Sequence, residues 1–177
     1  VGGEHNVLNL LAAVCVAEIV GMTEEAICSG IKEFKGVKHR IQYIRTVNGA
    51  DYYNDSKATN ADATMKAIDS MNKPTTLILG GKDKGLDFDA LFRKISESLV
   101  KAVVLTGESA PRLYDSAKKI GYKNVYLAND FFVAVKLAYI VAENGEAVLL
   151  SPACSSFDCF TDYEERGDRF IEIVEKL

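Results

Sequence analysis

Residues 54–60 (NDSKATN) combine an acid, a cation and two hydroxyls between a strand-like segment, 49–53, and a helix-like segment that begins near Asn60. Ligands of open α/β sheets bind at the carboxyl ends of the strands, so these side chains suit a binding site. The same residue types also form ordinary turns and helix N-caps. Thr59 or Asn60 could accept hydrogen bonds from the amides of the first helical turn. The residues alone leave both interpretations open.

A second polar segment, 80–85 (GGKDKG), follows the β-rich run 75–79. Its three glycines allow close backbone approach, and its two lysines could attract a carboxylate or a phosphate. The spacing matches neither a Walker loop nor a dinucleotide-binding fingerprint. Without further context, the segment also fits a polar turn with solvated lysines.

A third segment, 151–167 (SPACSSFDCFTDYEERG), follows the apolar run 146–150. Cys154 lies next to hydroxyl side chains, which raises the question of a nucleophile. A nucleophilic cysteine needs a base, and the two histidines of the chain, His5 and His39, lie far away in sequence. The composition of this segment therefore disfavours cysteine catalysis.

The elements that would position these segments can be predicted from the pattern of apolar residues. Asn48-Gly49 separates two strand-like runs, 40–47 and 49–53, which predicts an antiparallel hairpin with a type I′ turn. Helical patterns then alternate with β-rich runs, an arrangement typical of a mostly parallel sheet with helices on both faces, of Rossmann-like α/β class. The helical patterns span 60–71, 88–99, 110–120, 131–142 and 163–176, and the β-rich runs span 75–79, 101–106, 124–127 and 146–150.

The first 36 residues predict two helices and no strand. The segment 6–20 is apolar nearly all round, which predicts a helix buried on most faces, and Thr23 can cap a second helix. Two helices alone do not make a domain. We therefore expect residues 1–36 to be the tail of an upstream domain and residues 37–177 to form a domain of their own.

Composition excludes several classes of protein. The 21 Lys and Arg against 25 Asp and Glu argue against a nucleic-acid surface. The longest apolar run, residues 8–20, is shorter than a membrane span, and no segment resembles a secretory signal, so we expect a cytoplasmic protein with no membrane partner. The four cysteines contain no Cys-x-x-Cys pair, which predicts reduced thiols and neither a zinc site nor a disulfide framework.

Five segments together resemble the Mur ligase superfamily, the ATP-dependent amide ligases of peptidoglycan synthesis. They are residues 5–9, 39–40, 54–60, 80–88 and 151–167. The DSKATN string is similar to the branch of the family that adds D-glutamate to UDP-N-acetylmuramoyl-L-alanine through an acyl phosphate. The resemblance implies that 1–36 ends the central ATP-binding domain and that 37–177 is the C-terminal domain, which binds D-glutamate.

The resemblance also implies cofactors and missing parts. ATP and Mg²⁺ are expected, with the P-loop, the main Mg²⁺ ligands and the nucleotide-sugar pocket in N-terminal and central domains that this chain lacks. No metal ligand is assigned to this chain, and the full-length enzyme is expected to be monomeric. We expect the isolated fragment not to turn over ATP.

Individual roles follow from the matching positions. Lys57, Arg40 and His39 are expected in catalysis, with Lys57 and Arg40 at the ATP phosphates. A surface arginine is the alternative for Arg40, and a helix cap is the alternative for Asn6. The residues expected at the nucleotide are Asn6, Asn9, Arg40, Asp55 and Lys57.

The same resemblance implies an amino-acid pocket, in which Lys84 would form an ion pair with a substrate carboxylate. The family often has Leu at the position of Phe157 and Phe at that of Tyr163, so a slightly different lining is expected here. The residues expected at D-glutamate are Thr59, Lys84, Ser156, Phe157 and Tyr163.

Two other classes of protein remain open at this point. A different ligase of the superfamily, such as a folylpolyglutamate synthase, would share the fold and the ATP contacts but not the DSKATN loop. A non-catalytic nucleotide-binding module would share only the sheet.

Overall fold

A computed structural model describes residues 4–34 and 36–177, with side chains described from residue 7 onward. The chain divides into two compact units, Val1–Val37 and Lys38–Leu177. This division falls one residue after the boundary predicted from the sequence. That the first unit ends an ATP-binding domain stays a prediction. Among the described residues, no helix has both the length and the apolar character needed to cross a membrane.

The first unit contains α1 (Glu4–Ile19) and α2 (Glu24–Glu33). The side chain of Thr23 accepts a hydrogen bond from the Ala26 amide at 3.3 Å, which confirms the predicted cap. The predicted burial of α1 on most faces does not occur within this unit, and burial against an upstream domain stays a prediction. Leu8 and Ile19 are 66% and 84% exposed, because a pair of helices can cover only one stripe of each other's surface.

The second unit is built on one sheet. Its elements are β1 (Gln42–Val47), β2 (Ala50–Asn54), α3 (Ala61–Asp69), β3 (Thr75–Gly80), α4 (Asp89–Ser96), β4 (Val100–Thr106), α5 (Ala110–Ile120), β5 (Val125–Leu127), α6 (Phe131–Val141), β6 (Ala147–Leu150) and α7 (Tyr163–Glu175). The strand order across the described part of the chain is β1-β2-β6-β3-β4-β5. β1 and β2 pair antiparallel and the other neighbours pair parallel, which confirms the predicted fold class.

The hairpin at the start of this unit also forms as predicted. Asn48 and Gly49 have φ values of 49° and 80°, the left-handed conformation that a type I′ turn requires at both central positions. The turn pairs β2 with β1 on one side, while β2 pairs parallel with β6 on the other. The end of β2 at Asn54 thereby joins the edge where the parallel strands end.

Helices cover both faces of the sheet. All six residues of β3 are buried, and successive side chains alternate between two apolar clusters. Leu77 and Leu79 pack with residues of α4 and α5 such as Phe92 and Leu113. Ile78 packs in the other cluster, which includes residues of α6 and α7 such as Phe170. The central strands are held from both sides, which fixes the position of the loops that follow them.

The loops expected to do chemistry all leave one edge of this sheet. β2, β6, β3 and β4 are neighbours and run parallel, so their carboxyl ends lie side by side. The loops after them span residues 55–60, 151–162, 81–88 and 107–109.

Candidate active site

Backbone hydrogen bonds join the four loops at this edge into one block. Each bond connects a loop to a neighbouring strand or loop, at 2.7–2.9 Å. The bonds run from Asp55 N to Leu150 O, from Gly80 N to Pro152 O, from Lys82 N to Ser155 O and from Ser109 N to Gly81 O. The 107–109 loop was not expected in the site from the sequence, but it belongs to the same block.

Gly80 and Gly81 make this close packing possible. Their φ values are 128° and 147°. A Cβ at Gly80 would lie 1.7 Å from the carbonyl oxygen of Thr106, and one at Gly81 would lie 2.2 Å from that of Ser155. No other residue type fits at either position, so the close backbone approach expected from the glycines occurs here.

Asn54 anchors the start of the 54–60 loop. Its side chain is fully buried, donates to the carbonyl of Gly167 at 3.0 Å and lies 3.0 Å from Nδ1 of His39. Its Oδ1 accepts the amide of Ser56 at 3.1 Å. At the other end of the loop, Asn60 caps α3 by accepting from the Ala63 amide at 2.9 Å. The capping interpretation is therefore correct for Asn60 and describes one end of the loop.

Arg166 on α7 ties two of the loops together. Its side chain is 2% exposed. Nε and Nη2 donate to Oγ and O of Ser56, both at 2.9 Å, and Nη1 donates to the Cys154 carbonyl at 3.0 Å. No carboxylate among the described residues lies within ion-pair distance of it. Burial lowers the pKa of the guanidinium to about 10, so it keeps its charge at neutral pH.

Sequence reasoning did not assign a role to Arg166. A signal was available, because Arg166, Phe170 and Ile173 follow a spacing of four and three residues, which places them on one helix face. Phe170 and Ile173 are buried core residues. An arginine on an apolar helix face needs acceptors nearby, and the polar loops supply them.

Asp55 turns inward, away from solvent. It is 4% exposed, its Oδ1 accepts the Ile41 amide at 3.2 Å, and its Oδ2 accepts from Oγ of Ser151 at 2.7 Å. Burial raises the pKa of this carboxyl to about 6, although both hydrogen bonds act in the opposite direction. Its expected contact with a nucleotide stays a prediction, and its observed role is to join the 54–60 loop to β6.

His39 also has an internal position. Its ring is 2% exposed, stands edge-on to the ring of Tyr163 at 6.3 Å between centroids, and has a pKa lowered by burial. Its carbonyl accepts the Lys57 amide at 3.1 Å. A catalytic role for His39 stays a prediction, and the contacts we observe position Lys57.

The other expected residues differ in exposure. Lys57, Arg40 and Lys84 are exposed, Phe157 is 65% exposed, and Thr59 and Tyr163 are partly buried. The Lys57 ammonium lies 5.5 Å from the centre of the Tyr163 ring, so these two predicted residues come together. Ser156 is buried, and it accepts the amides of Cys159 and Phe160 through its carbonyl at 3.1 and 2.9 Å.

The two remaining candidate residues, Asn6 and Asn9, belong to the first unit and not to this sheet edge. Asn9 is exposed on α1 of the first unit, and the side chain of Asn6 lies outside the described residues.

The Oγ of Ser155 is buried without a hydrogen-bond partner among the described residues. The Cys154 thiol is buried, donates to Oγ of Ser109 at 3.3 Å and has a pKa raised by burial, which disfavours a thiolate nucleophile. The described residues contain no group of three or more His, Cys, Asp or Glu that could hold a metal ion.

Residues 39–154 match the family model described as Mur ligase, glutamate ligase domain. The chain belongs to the Mur ligase family. A protein of Bacillus thuringiensis (strain Al Hakam) named UDP-N-acetylmuramoylalanine–D-glutamate ligase is 45% identical over 175 residues. The match covers 99% of this chain and 38% of that relative. A protein of Bacillus anthracis (strain A0248) with the same name matches to the same extent. The chain therefore spans well under half the length of the curated relatives it matches.

Solved structures agree with this family. UDP-N-acetylmuramate–alanine ligase of Thermotoga maritima matches 99% of this chain and 39% of its own, with a TM-score of 0.71 and 20% identity. MurF ligase of the same organism, solved in complex with ADP, matches 96% of this chain and 38% of its own, with a TM-score of 0.64 and 19% identity. Folylpolyglutamate synthase of T. maritima matches 85% of this chain and 36% of its own, with a TM-score of 0.61 and 26% identity. At these identities the two Mur ligase structures support the fold of this Mur ligase domain.

Proposed function

We propose that this Mur ligase domain is the C-terminal portion of an ATP-dependent amide ligase that joins D-glutamate to UDP-N-acetylmuramoyl-L-alanine. In the proposed reaction ATP phosphorylates the alanyl carboxylate, and the amine of D-glutamate then displaces phosphate from the acyl phosphate. The observation that carries the proposal is the 45% identity over 99% of this chain to proteins named UDP-N-acetylmuramoylalanine–D-glutamate ligase. The site is consistent with it, because four loops at one sheet edge form a hydrogen-bonded block that presents the exposed cations Lys57 and Lys84.

The ATP side of the proposed site uses Lys57 and Arg40. Both side chains are exposed, so they are free to meet phosphate groups. His39 is the positioning residue here, because its carbonyl holds the Lys57 amide and its buried ring packs against Tyr163. Lys57 held in this way, together with Arg40, could offset the charge that develops on a transferred phosphoryl group. Asn6, Asn9 and Asp55 are further expected nucleotide contacts.

The amino-acid side uses Lys84 for a carboxylate of D-glutamate, with Thr59, Ser156, Phe157 and Tyr163 enclosing the rest of the substrate. The 81–88 loop and the 151–162 loop are joined by the bond from Lys82 N to Ser155 O. This bond supports a pocket made from both loops. An amine held against the acyl phosphate in one geometry reacts faster than it would in solution.

Magnesium ligands do not come from the described part of this chain in our proposal. Asp55 is the acid of the 54–60 loop, and both of its oxygens already accept hydrogen bonds. We expect the Mg²⁺ ligands, the P-loop and the nucleotide-sugar pocket in domains of the same enzyme outside this chain. We also expect the complete enzyme to be cytoplasmic and monomeric. Light scattering coupled to size-exclusion chromatography measures the molar mass and so tests the second expectation.

Phosphate release tests the proposed function. The full-length protein that includes this chain is assayed with ATP, Mg²⁺ and UDP-N-acetylmuramoyl-L-alanine, and D-glutamate, L-glutamate or D-aspartate is added. We expect release that depends on D-glutamate and on the nucleotide-sugar substrate, and no release from residues 1–177 alone. Phosphate release at the same rate with all three amino acids would contradict the proposal. Turnover of ATP by residues 1–177 alone would refute the expected need for further domains.

A folylpolyglutamate synthase is the second candidate, because one such enzyme matches 85% of this chain at 26% identity. It would add L-glutamate to a folate. Replacement of the nucleotide-sugar substrate by a reduced folate in the same assay separates the two candidates. We expect no activity with the folate.

A further inference from the structure

Lys84 has an uncompensated charge. Its side chain is exposed, and among the residues that the structure describes it has no hydrogen-bond or ion-pair partner. Three carboxylates belong to this loop or contact it: Asp83 and Asp87 lie within it, and Glu108 pairs with Lys82. An acid adjacent to a lysine would normally compete with a substrate carboxylate for the ammonium group.

Asp83 is already engaged by Arg112 of α5. Nε of Arg112 lies 3.6 Å from Oδ1 of Asp83, and that oxygen also accepts the Gly85 amide at 2.8 Å. Nη2 of Arg112 donates to the Leu86 carbonyl at 2.8 Å. Arg112 therefore contacts the loop on both sides of Lys84, at the residue before it and at the second residue after it.

Glu108 is engaged by a different cation. Its Oε2 lies 2.6 Å from Nζ of Lys82, and its amide donates to Oδ2 of Asp158 at 3.1 Å. Asp83 and Glu108 are thus each paired with a cation other than Lys84. Asp87, the other acid of the 81–88 loop, accepts the Asp89 amide at 2.8 Å through its Oδ1. Among the described residues, Lys84 therefore has no carboxylate partner.

We propose that Arg112 is a positioning residue for substrate binding: it holds Asp83 away from Lys84, so that Lys84 remains available to a carboxylate of the incoming amino acid. This inference rests on the proposed function, because it assigns a specificity role within the same site. Arg112 itself does not touch the substrate. Its removal should weaken amino-acid binding and leave the chemical step unchanged.

Steady-state kinetics of the full-length protein test the proposal. We expect Arg112→Gln to raise the KM for D-glutamate three- to tenfold, with kcat and the KM for ATP within twofold of wild type. Asp83→Asn in the same protein removes the freed carboxylate while keeping an acceptor for the Gly85 amide. We expect this double variant to recover a KM within twofold of wild type. Arg93→Gln is the matched control, because Arg93 is an exposed arginine on α4 whose side chain has no hydrogen-bond or ion-pair partner among the described residues.

The outcomes separate three cases. An Arg112→Gln variant with an unchanged KM for D-glutamate overturns the inference alone. A double variant that keeps the raised KM also overturns it, because Arg112 would then act only as a tether of the loop. A wild-type protein without D-glutamate-dependent turnover overturns the proposed function, and this inference with it.

Discussion

Arg166 donates two hydrogen bonds to Ser56, one to its hydroxyl oxygen and one to its carbonyl oxygen, across a separation of 110 residues. A third bond from the same guanidinium reaches the Cys154 carbonyl. One buried side chain thereby connects the loop after β2, the loop after β6 and the start of α7. The exposed residues beside these contacts, Lys57 and Phe157, depend on this connection for their positions.

Arg166→Met should lower the free energy of unfolding. The substitution keeps an apolar stem but leaves three buried acceptors, two on Ser56 and one on Cys154, without donors, at about 1–3 kcal/mol for each unsatisfied group. We expect a total loss of about 3 kcal/mol or more in urea unfolding. Arg169→Met is the control, since Arg169 is exposed and its ion pair with Glu172 lies on the surface, where such pairs contribute about 0–1 kcal/mol. Equal stability of the two variants would contradict the role of Arg166.

Asp55 should make stability depend on pH in an unusual direction. Its pKa is raised from 3.8 to about 6 in the folded protein, so the folded state binds more protons than the unfolded state between about pH 4 and 6. Stability therefore falls as pH rises through this window, and below it the neutral carboxyl imposes no such cost. A change of the Asp55 pKa from 3.8 to about 6 corresponds to about 3 kcal/mol.

The comparison with Asp55→Asn isolates this effect. Asparagine keeps an acceptor for the Ile41 amide and does not titrate. Urea unfolding of both proteins at constant ionic strength should show the wild type losing stability relative to Asp55→Asn from pH 4 to pH 7. A difference that stays constant over this range would show that burial does not perturb the carboxyl.

Gly167→Ala should destabilise the protein although alanine is the better helix former. A Cβ at Gly167 would lie 2.2 Å from Nδ1 of His39, whose ring is held under the 54–60 loop. Overpacking of this kind costs about 1–3 kcal/mol, which exceeds the gain of about 1 kcal/mol in helix propensity. Gly30→Ala, with no atom within 4 Å of its added Cβ, serves as the control and should leave the thermal transition unchanged or slightly higher. A stable Gly167→Ala variant would mean that His39 can leave its position at little cost.

The fold followed from the sequence because its signals are local. Asn48-Gly49 needs only its own backbone preferences to form the turn, and the apolar runs of the parallel strands are recognisable without any tertiary information. α1 shows the limit of the same reasoning. Its apolar side chains predict burial, but burial depends on partners that the helix pattern does not specify.

Only part of the candidate site could be predicted from the sequence. The polar segments could be placed at strand ends, which brought Lys57, Lys84 and Ser156 to one sheet edge. Which residues of each segment are buried and which face solvent could not be predicted, because this depends on packing against other elements. Asp55 and His39 have residue types suited to catalysis, yet both are buried, and Arg166 has the type of a surface residue but lies in the interior.

Lysine substitutions test most directly whether two loops of this edge bind two different substrates. In the full-length protein, we expect Lys84→Ala to raise the KM for D-glutamate about 10- to 100-fold while the KM for ATP stays within twofold, because a hydrogen bond to a charged group contributes about 1.5–3 kcal/mol. Lys57→Ala should have the opposite pattern, with impaired use of ATP and a nearly unchanged KM for D-glutamate. The measurement is steady-state phosphate release with each substrate varied in turn. If both variants kept wild-type KM values for both substrates, the sheet edge would not be the binding site and the proposed function would lose its structural basis.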